Sequence, residues 1–149
     1  MKPFPDIKIA LCSDHAGYEL KTELIKYLKS KGVINFHDFG TYSADSADYP
    51  DFAHPMATAV ANGEYEFGIS CCGTGNGINI VANRHCGVRS ALCWNEEIAR
   101  LARLHNNANV IAFPSRFISK EDAEAMLSVF FATDFEAGRH QRRLDKIDN

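Results

Sequence analysis

The chain has 149 residues, 46% of them hydrophobic and 23% charged, enough for one domain with a real core. A net charge of −3 argues against a general nucleic-acid or membrane-surface binder. No stretch approaches the roughly 20 apolar residues that cross a bilayer, and the first residues lack the apolar core of a signal peptide. Five cysteines (12, 71, 72, 86 and 93) are an odd number without C-x-x-C spacing, so neither a disulfide framework nor a zinc site is indicated. Most stand in apolar runs and read as small buried hydrophobes. The expectation is a reduced, cytoplasmic protein that holds no metal.

Along the chain, short apolar runs alternate with amphipathic stretches. Ile7–Cys12 reads as a buried strand. Tyr18–Lys31 reads as a helix, with Leu20, Leu24 and Leu28 at i, i+4, i+8, lysines between them and Gly32 at its close. Val33–Phe39 is a second strand, with Asp38-Phe39-Gly40 at its end. A helix starting at Asp48-Tyr49-Pro50, with an acidic cap and an early proline, runs to Gly63. Phe67–Cys71 is a third strand, followed by a short helix from Ile78 to Asn83. Arg89–Trp94 and Val110–Phe113 are the fourth and fifth strands, separated by the helix Glu96–His105. Lys120–Thr133 is a helix opened by Ser119 with Asp122 three residues on, near to a capping box. The repeated strand–helix alternation predicts a five-stranded parallel sheet covered by helices on both faces. In such sheets ligands bind beyond the carboxyl ends of the strands. Two polar clusters fall there: Ser13-Asp14-His15, and the loop after the third strand.

That loop, Cys72-Gly73-Thr74-Gly75-Asn76-Gly77, has a glycine at every second position and leads into a helix. Close approach to main-chain N–H groups, with the positive end of a helix dipole, makes a place for an anion. A thiol at its mouth, Cys72, stands where a thiolate is favoured, which points to chemistry as well as binding. The glycines match neither the dinucleotide fingerprint nor a P-loop, so no nucleotide cofactor is implied. Asp14 and His15 suit sugar hydroxyls, Asp14 with a second use as a cap for the following helix, and His15 can carry a proton near neutrality. His105-Asn106-Asn107 closes the fourth-strand helix with further donors and acceptors. His37, His54 and His85 lack polar company in the sequence and read as structural. The tail Gly138–Lys146 is the one basic concentration. If helical, it sets Arg139 and Arg143 on one face, which suits a phosphate.

These segments together resemble the signature of the B-type ribose-5-phosphate isomerases, which form one family with the galactose-6-phosphate isomerase subunits. The segments are Ser13-Asp14-His15-Ala16-Gly17, Asp48-Tyr49-Pro50, Cys72–Gly77, His105-Asn106, Ser115-Arg116 and Gly138-Arg139-His140-Gln141 with Arg143. The match runs in order from Ile7 to Ile147. It implies a Rossmann-like, three-layer α/β/α fold and an aldose–ketose isomerase of the pentose phosphate pathway, working without metal or organic cofactor. It also implies a homodimer, alone or as a dimer of dimers, with sites at the interface and the tail from about residue 134 packed on the partner. On that resemblance Cys72 is the base that moves a proton between C1 and C2, His105 helps open the furanose ring, and Thr74 joins them at the reacting centre. Asp14, His15, Tyr49, Gly73, Thr74, Gly75, Asn76, Gly77 and Asn106 hold the sugar; Arg116, Arg139 and Arg143 hold the phosphate. One branch of the family has a glutamate base after the last loop glycine. Ile78 stands there and cannot take a proton, which leaves Cys72; Cys71 should face the other way. Rival readings are a 6-phosphate hexose isomerase (allose or galactose 6-phosphate), a Cys–His acyl-transfer hydrolase and a flavodoxin-like nucleotide-binding module.

Overall fold

The computed structural model describes residues 4–149. Five parallel strands lie in the order β2-β1-β3-β5-β4: β1 Ile9–Ser13, β2 Phe36–Asp38, β3 Phe67–Cys72, β4 Ser90–Leu92 and β5 Val110–Pro114. Six helices connect and follow them: α1 Tyr18–Ser30, α2 Pro50–Ala61, α3 Asn76–Ala82, α4 Glu96–Asn106, α5 Lys120–Ala132 and α6 Arg139–Leu144. Among the described residues no helix is long and apolar enough to cross a membrane.

The central strands are apolar on both sides because helices cover both, and their side chains sort by alternation. Ile9, Leu11, Ile69, Cys71, Ile111 and Phe113 pack under α1, α4 and α5. The alternate residues Ala10, Cys12, Cys72, Val110 and Ala112 pack with Ala53, Met56, Ala57 and Val60 of α2 and with Ile78 and Ala82 of α3. The three-layer architecture expected from the sequence is therefore the one found.

Several boundaries move, each for a local reason. The edge strand β2 is Phe36–Asp38 rather than Val33–Phe39, because the N–H of Val33 closes α1 on the Leu28 carbonyl and does not join the ladder. At the other edge, β4 loses Arg89 and Cys93-Trp94; the Arg89 N–H is taken by the Asn109 side chain. Helix α3 starts two residues earlier than expected, with Gly75 at its N-cap. Ser119 and Asp122 form a full capping box at α5.

Lys21 is the larger departure. It is one of the lysines between the apolar positions of α1, yet it is 0% exposed. Its Nζ donates to Asp38 Oδ1 at 2.6 Å and to the Thr41 carbonyl, which joins α1 to the end of β2 and the loop beyond. Asp38 Oδ1 also accepts the Gly40 N–H at 2.8 Å.

Candidate active site

The chain leaves β1 for β2 on one side and returns to β3 on the other, so a crevice opens between the carboxyl ends of β1 and β3. Ser13 pairs with Cys71 and Cys72 with Pro114, so β1, β3 and β5 finish level and their polar residues meet there. The crevice is a cavity of about 480 Å³ whose wall includes Asp14, His15, Tyr49, Cys72, Thr74 and Arg116.

Each wall residue is held by its neighbours. Asp14 is buried; its N–H donates to the Cys71 carbonyl at 3.2 Å, and its Oδ1 accepts the Gly17 N–H at 3.1 Å at the entrance to α1. The capping use of Asp14 is thus present alongside its place in the crevice. His15 Nδ1 lies 3.2 Å from the Ala47 amide nitrogen and 3.3 Å from the Ala47 carbonyl, tying the loop after β2 to the site. Ser46 and Asp48 of the same loop also line the crevice.

Gly75 has φ +76°, which caps α3 in the left-handed region. Gly77 is needed for a different reason: a Cβ there would lie 2.5 Å from the Tyr49 ring, so the tyrosine lies directly over the loop. Among the described residues, the N–H groups of Thr74 and Gly75 meet no main-chain acceptor. On the β5 side, the Ser115 and Arg116 N–H groups donate to the carbonyls of Cys72 (2.9 Å) and Gly73 (3.1 Å). This brings the Arg116 guanidinium against Gly73, where an added Cβ would be 3.0 Å from Nη1.

The thiols separate by face. Cys72 is 4% exposed, on the α2/α3 side of β3, and lines the crevice. Cys71 faces the opposite core as expected, and burial pushes its thiol far above the usual range. Burial, followed by the neighbouring Cys71, does the same to Cys12, and burial pushes Cys93 up to about 12. Cys86 is exposed and outside the crevice wall.

A second group of expected site residues lies elsewhere. His105 occupies the last turn of α4, just before β5 begins, whereas Cys72 is level with the end of β5. Four residue steps of strand, about 13 Å, separate those two levels. His105 stacks on His140 with ring centroids 4.4 Å apart and planes 17° apart, and its Nε2 is 3.9 Å from Glu136 Oε2. Exposed Asn106 lines a different cavity of about 510 Å³, between α4 and β4. The tail is helical, as α6, with Arg139 and Arg143 exposed. It is attached to its own α4: the Glu136 N–H donates to the Leu104 carbonyl at 3.0 Å. One chain therefore brings together Asp14, His15, Tyr49, Cys72, Gly73, Thr74, Gly77 and Arg116. It gathers His105, Asn106, Arg139 and Arg143 around the far end of α4.

Sequence reasoning missed three features. Ser46 carried no signal, and Asp48 stood in a quoted segment and at a helix start without being given a place in the site. His140 stood in a quoted segment without a role, although its spacing of four from Glu136 was visible. His54 and His85, read as lacking polar company, are paired through Nδ1 and Nε2 at 2.7 Å, a contact between α2 and the turn after α3 that no local pattern reveals.

A family model described as Ribose/Galactose Isomerase matches residues 9–147. The chain belongs to that family. It is 43% identical to ribose-5-phosphate isomerase B of Escherichia coli K12 over 140 residues, 94% of this chain and 93% of that protein. A crystal structure of the ribose-5-phosphate isomerase B from Thermotoga maritima superposes with a TM-score of 0.93 at 48% identity, covering 96% of this chain and 98% of the other. The Mycoplasma genitalium isomerase B, solved with bound ribulose 5-phosphate, matches at a TM-score of 0.89 and 42% identity over 95% and 94% of the two chains. The parallel sheet and its helical layers are thus those of the ribose/galactose isomerases along nearly the whole chain.

Proposed function

We propose that this member of the family interconverts ribose 5-phosphate and ribulose 5-phosphate through an enediolate, with Cys72 as the base. The observation that carries the reading is Cys72 on the wall of the switch-point crevice, beside main-chain N–H groups that no carbonyl occupies. The Cys72 sulfur takes the proton from one of the two reacting carbons. The electron pair left behind moves into the C–C bond, and negative charge gathers on the former carbonyl oxygen. Loop N–H groups aimed at that oxygen would supply roughly 3–4 kcal/mol each. As the proton returns from sulfur to the neighbouring carbon, the hydroxyl on that carbon gives up its proton to become the new carbonyl, and the former carbonyl oxygen takes one up. The two sugars thus exchange without an external oxidant or reductant. Arg116 at the mouth is placed for the phosphate, and Asp14, His15 and Tyr49 for the hydroxyls.

The rest of the machinery comes from a second copy. His105, Arg139 and Arg143 stand at the opposite end of the sheet from Cys72, so they serve a crevice only if it belongs to another chain. The working unit in this reading is a homodimer in which His105 opens the furanose ring in its partner's crevice. Its buried thiols suit the reducing cytoplasm. Isomerisation assays on the purified protein with ribose 5-phosphate, allose 6-phosphate and galactose 6-phosphate test the reading. Ribose 5-phosphate should be turned over with the highest kcat/KM. Preference for a hexose would reassign the substrate, and an acyl-enzyme trapped with an ester substrate would replace the reaction class.

A further inference from the structure

At the far end of α4, His105, Glu136 and His140 place three ligand atoms within 4.8 Å of one another. His140 Nε2 is 3.4 Å and His105 Nε2 3.9 Å from the same oxygen, Glu136 Oε2. The parallel imidazoles direct both nitrogens to one side, towards that carboxylate. Hydrogen bonding does not account for the arrangement. His140 is 8% exposed, and its buried Nε2 has no hydrogen-bond partner among the described residues despite the carboxylate nearby. A buried, unpaired ring nitrogen aimed into a cluster of ligand atoms calls for an occupant.

We infer that His105, Glu136 and His140 form a binding site for one divalent transition-metal cation, with Zn²⁺ the best fit. Two neutral imidazoles and one carboxylate are a donor set that Zn²⁺ accepts with a fourth position left to water. Mg²⁺ and Ca²⁺ favour oxygen donors and are poorly served by two ring nitrogens. Zinc bonds of about 2.0–2.2 Å put tetrahedral ligand atoms about 3.3 Å apart. The His140–Glu136 contact, 3.4 Å, is already near that value, and the His105–Glu136 contact must shorten from 3.9 Å. Closing the cluster requires the His105 ring to turn out of its stack on His140 and the Glu136 carboxylate to follow; these two side chains are 36% and 51% exposed, whereas His140 is enclosed.

A cation held there occupies His105 Nε2, the atom that ring opening would use, and leaves Cys72 untouched. It therefore acts as a reversible brake on reaction from the cyclic sugar. This consequence rests on the isomerase reading; the site itself does not.

The test is titration of the full-length protein with Co²⁺, followed by visible absorption, with Zn²⁺ binding measured in parallel by calorimetry. A Cys72→Ser, Cys86→Ser background removes the two competing thiols. One ion per chain is expected. Its affinity should fall by at least the roughly 10–100-fold that even an outer-sphere partner is worth in both Glu136→Gln and His140→Asn. His54→Ala, which breaks the exposed histidine pair, should leave it unchanged. Circular dichroism shows whether His140→Asn is folded, and Glu136→Gln, at an exposed position, carries the test if it is not. Binding that survives Glu136→Gln, that vanishes in His54→Ala or that is absent throughout overturns the site. With the thiols restored, Zn²⁺ should suppress conversion of ribose 5-phosphate while deuterium exchange at C1 of ribulose 5-phosphate persists. Equal suppression of both would put the ion on Cys72 and overturn the brake. A protein that binds Co²⁺ as expected but turns over neither sugar refutes the isomerase reading alone.

Discussion

The two functional regions of this molecule are built in different ways. The crevice around Cys72 is a product of sheet topology: three strands end level, and their loops lock onto one another through main-chain hydrogen bonds. The cluster around His105 is a product of a helix end and a tail, held by ring stacking and side-chain contacts. The first has its wall built from the strand ends and loops of one chain. The second faces outward with its arginines exposed. On the proposed reading, proton transfer belongs to the scaffold, while ring opening and part of the phosphate grip belong to an element that one chain presents to another.

The sharpest way to break this division is to remove its two centres in turn. Cys72→Ala should lower isomerisation by at least the 10²–10⁴ typical of a positioned acid or base, in both directions. Cys71→Ala should keep activity and cost on the order of 1 kcal/mol in a denaturant melt. Substantial turnover by the Cys72 variant would take the sulfur out of the mechanism. His105→Ala should be impaired by a similar factor from ribose 5-phosphate, yet retain deuterium wash-in at C1 of ribulose 5-phosphate, because the ketose needs no furanose opening. Mixing the two inactive variants tests the shared site directly. Random reassociation makes half the dimers hybrid, each with one intact site, so about a quarter of wild-type activity should return. No recovery on mixing would place both residues in one chain's reaction and sink the two-chain arrangement.

Stability separates the regions next. Asp38→Ala leaves the Lys21 ammonium buried and unpaired, and should cost about 3–5 kcal/mol in chemical denaturation. Variants of the outward cluster such as Arg143→Ala should change stability by under about 0.5 kcal/mol. Comparable losses would mean that the tail is structural. Arg139→Ala and Arg143→Ala should instead raise the KM for the phosphorylated sugar, with little effect on an unphosphorylated analogue; Arg142→Ala should do less. The smallest effect concerns thiol access. Iodoacetamide should label Cys86 quickly and Cys72 in a substrate-protectable way, while Cys12, Cys71 and Cys93, whose burial disfavours the thiolate, stay unlabelled by mass spectrometry.

Legibility in the sequence followed the same split. The crevice was readable because its signals are local: glycines at alternate positions, a thiol ending an apolar run, and Asp14-His15 closing another. The strand order was not, since alternation shows that strands are parallel and covered but not which ones are neighbours. The short edge strands were overdrawn because apolar residues such as Val33 serve the core without joining the ladder. The burial of Lys21 was not legible because helical periodicity sees a charge and not the acceptors waiting for it at Asp38 and Thr41. The His105 cluster was half visible: the histidine and arginines by resemblance, but not Glu136 beneath them, because contacts between a helix end and a distant tail have no sequence period.

The Lys21–Asp38 pair also constrains how the sequence can drift. The lysine is wholly enclosed, whereas the aspartate side chain is 26% exposed and keeps a second partner in the Gly40 N–H. Losing the aspartate first strands a charge in the interior. Losing the lysine first leaves an anion that water can still reach. Of the two single-step routes to an apolar pair, only the one that begins at position 21 passes through a tolerable intermediate. The ion pair therefore works as a one-way valve on substitution, and relatives without it should have lost the lysine before the aspartate.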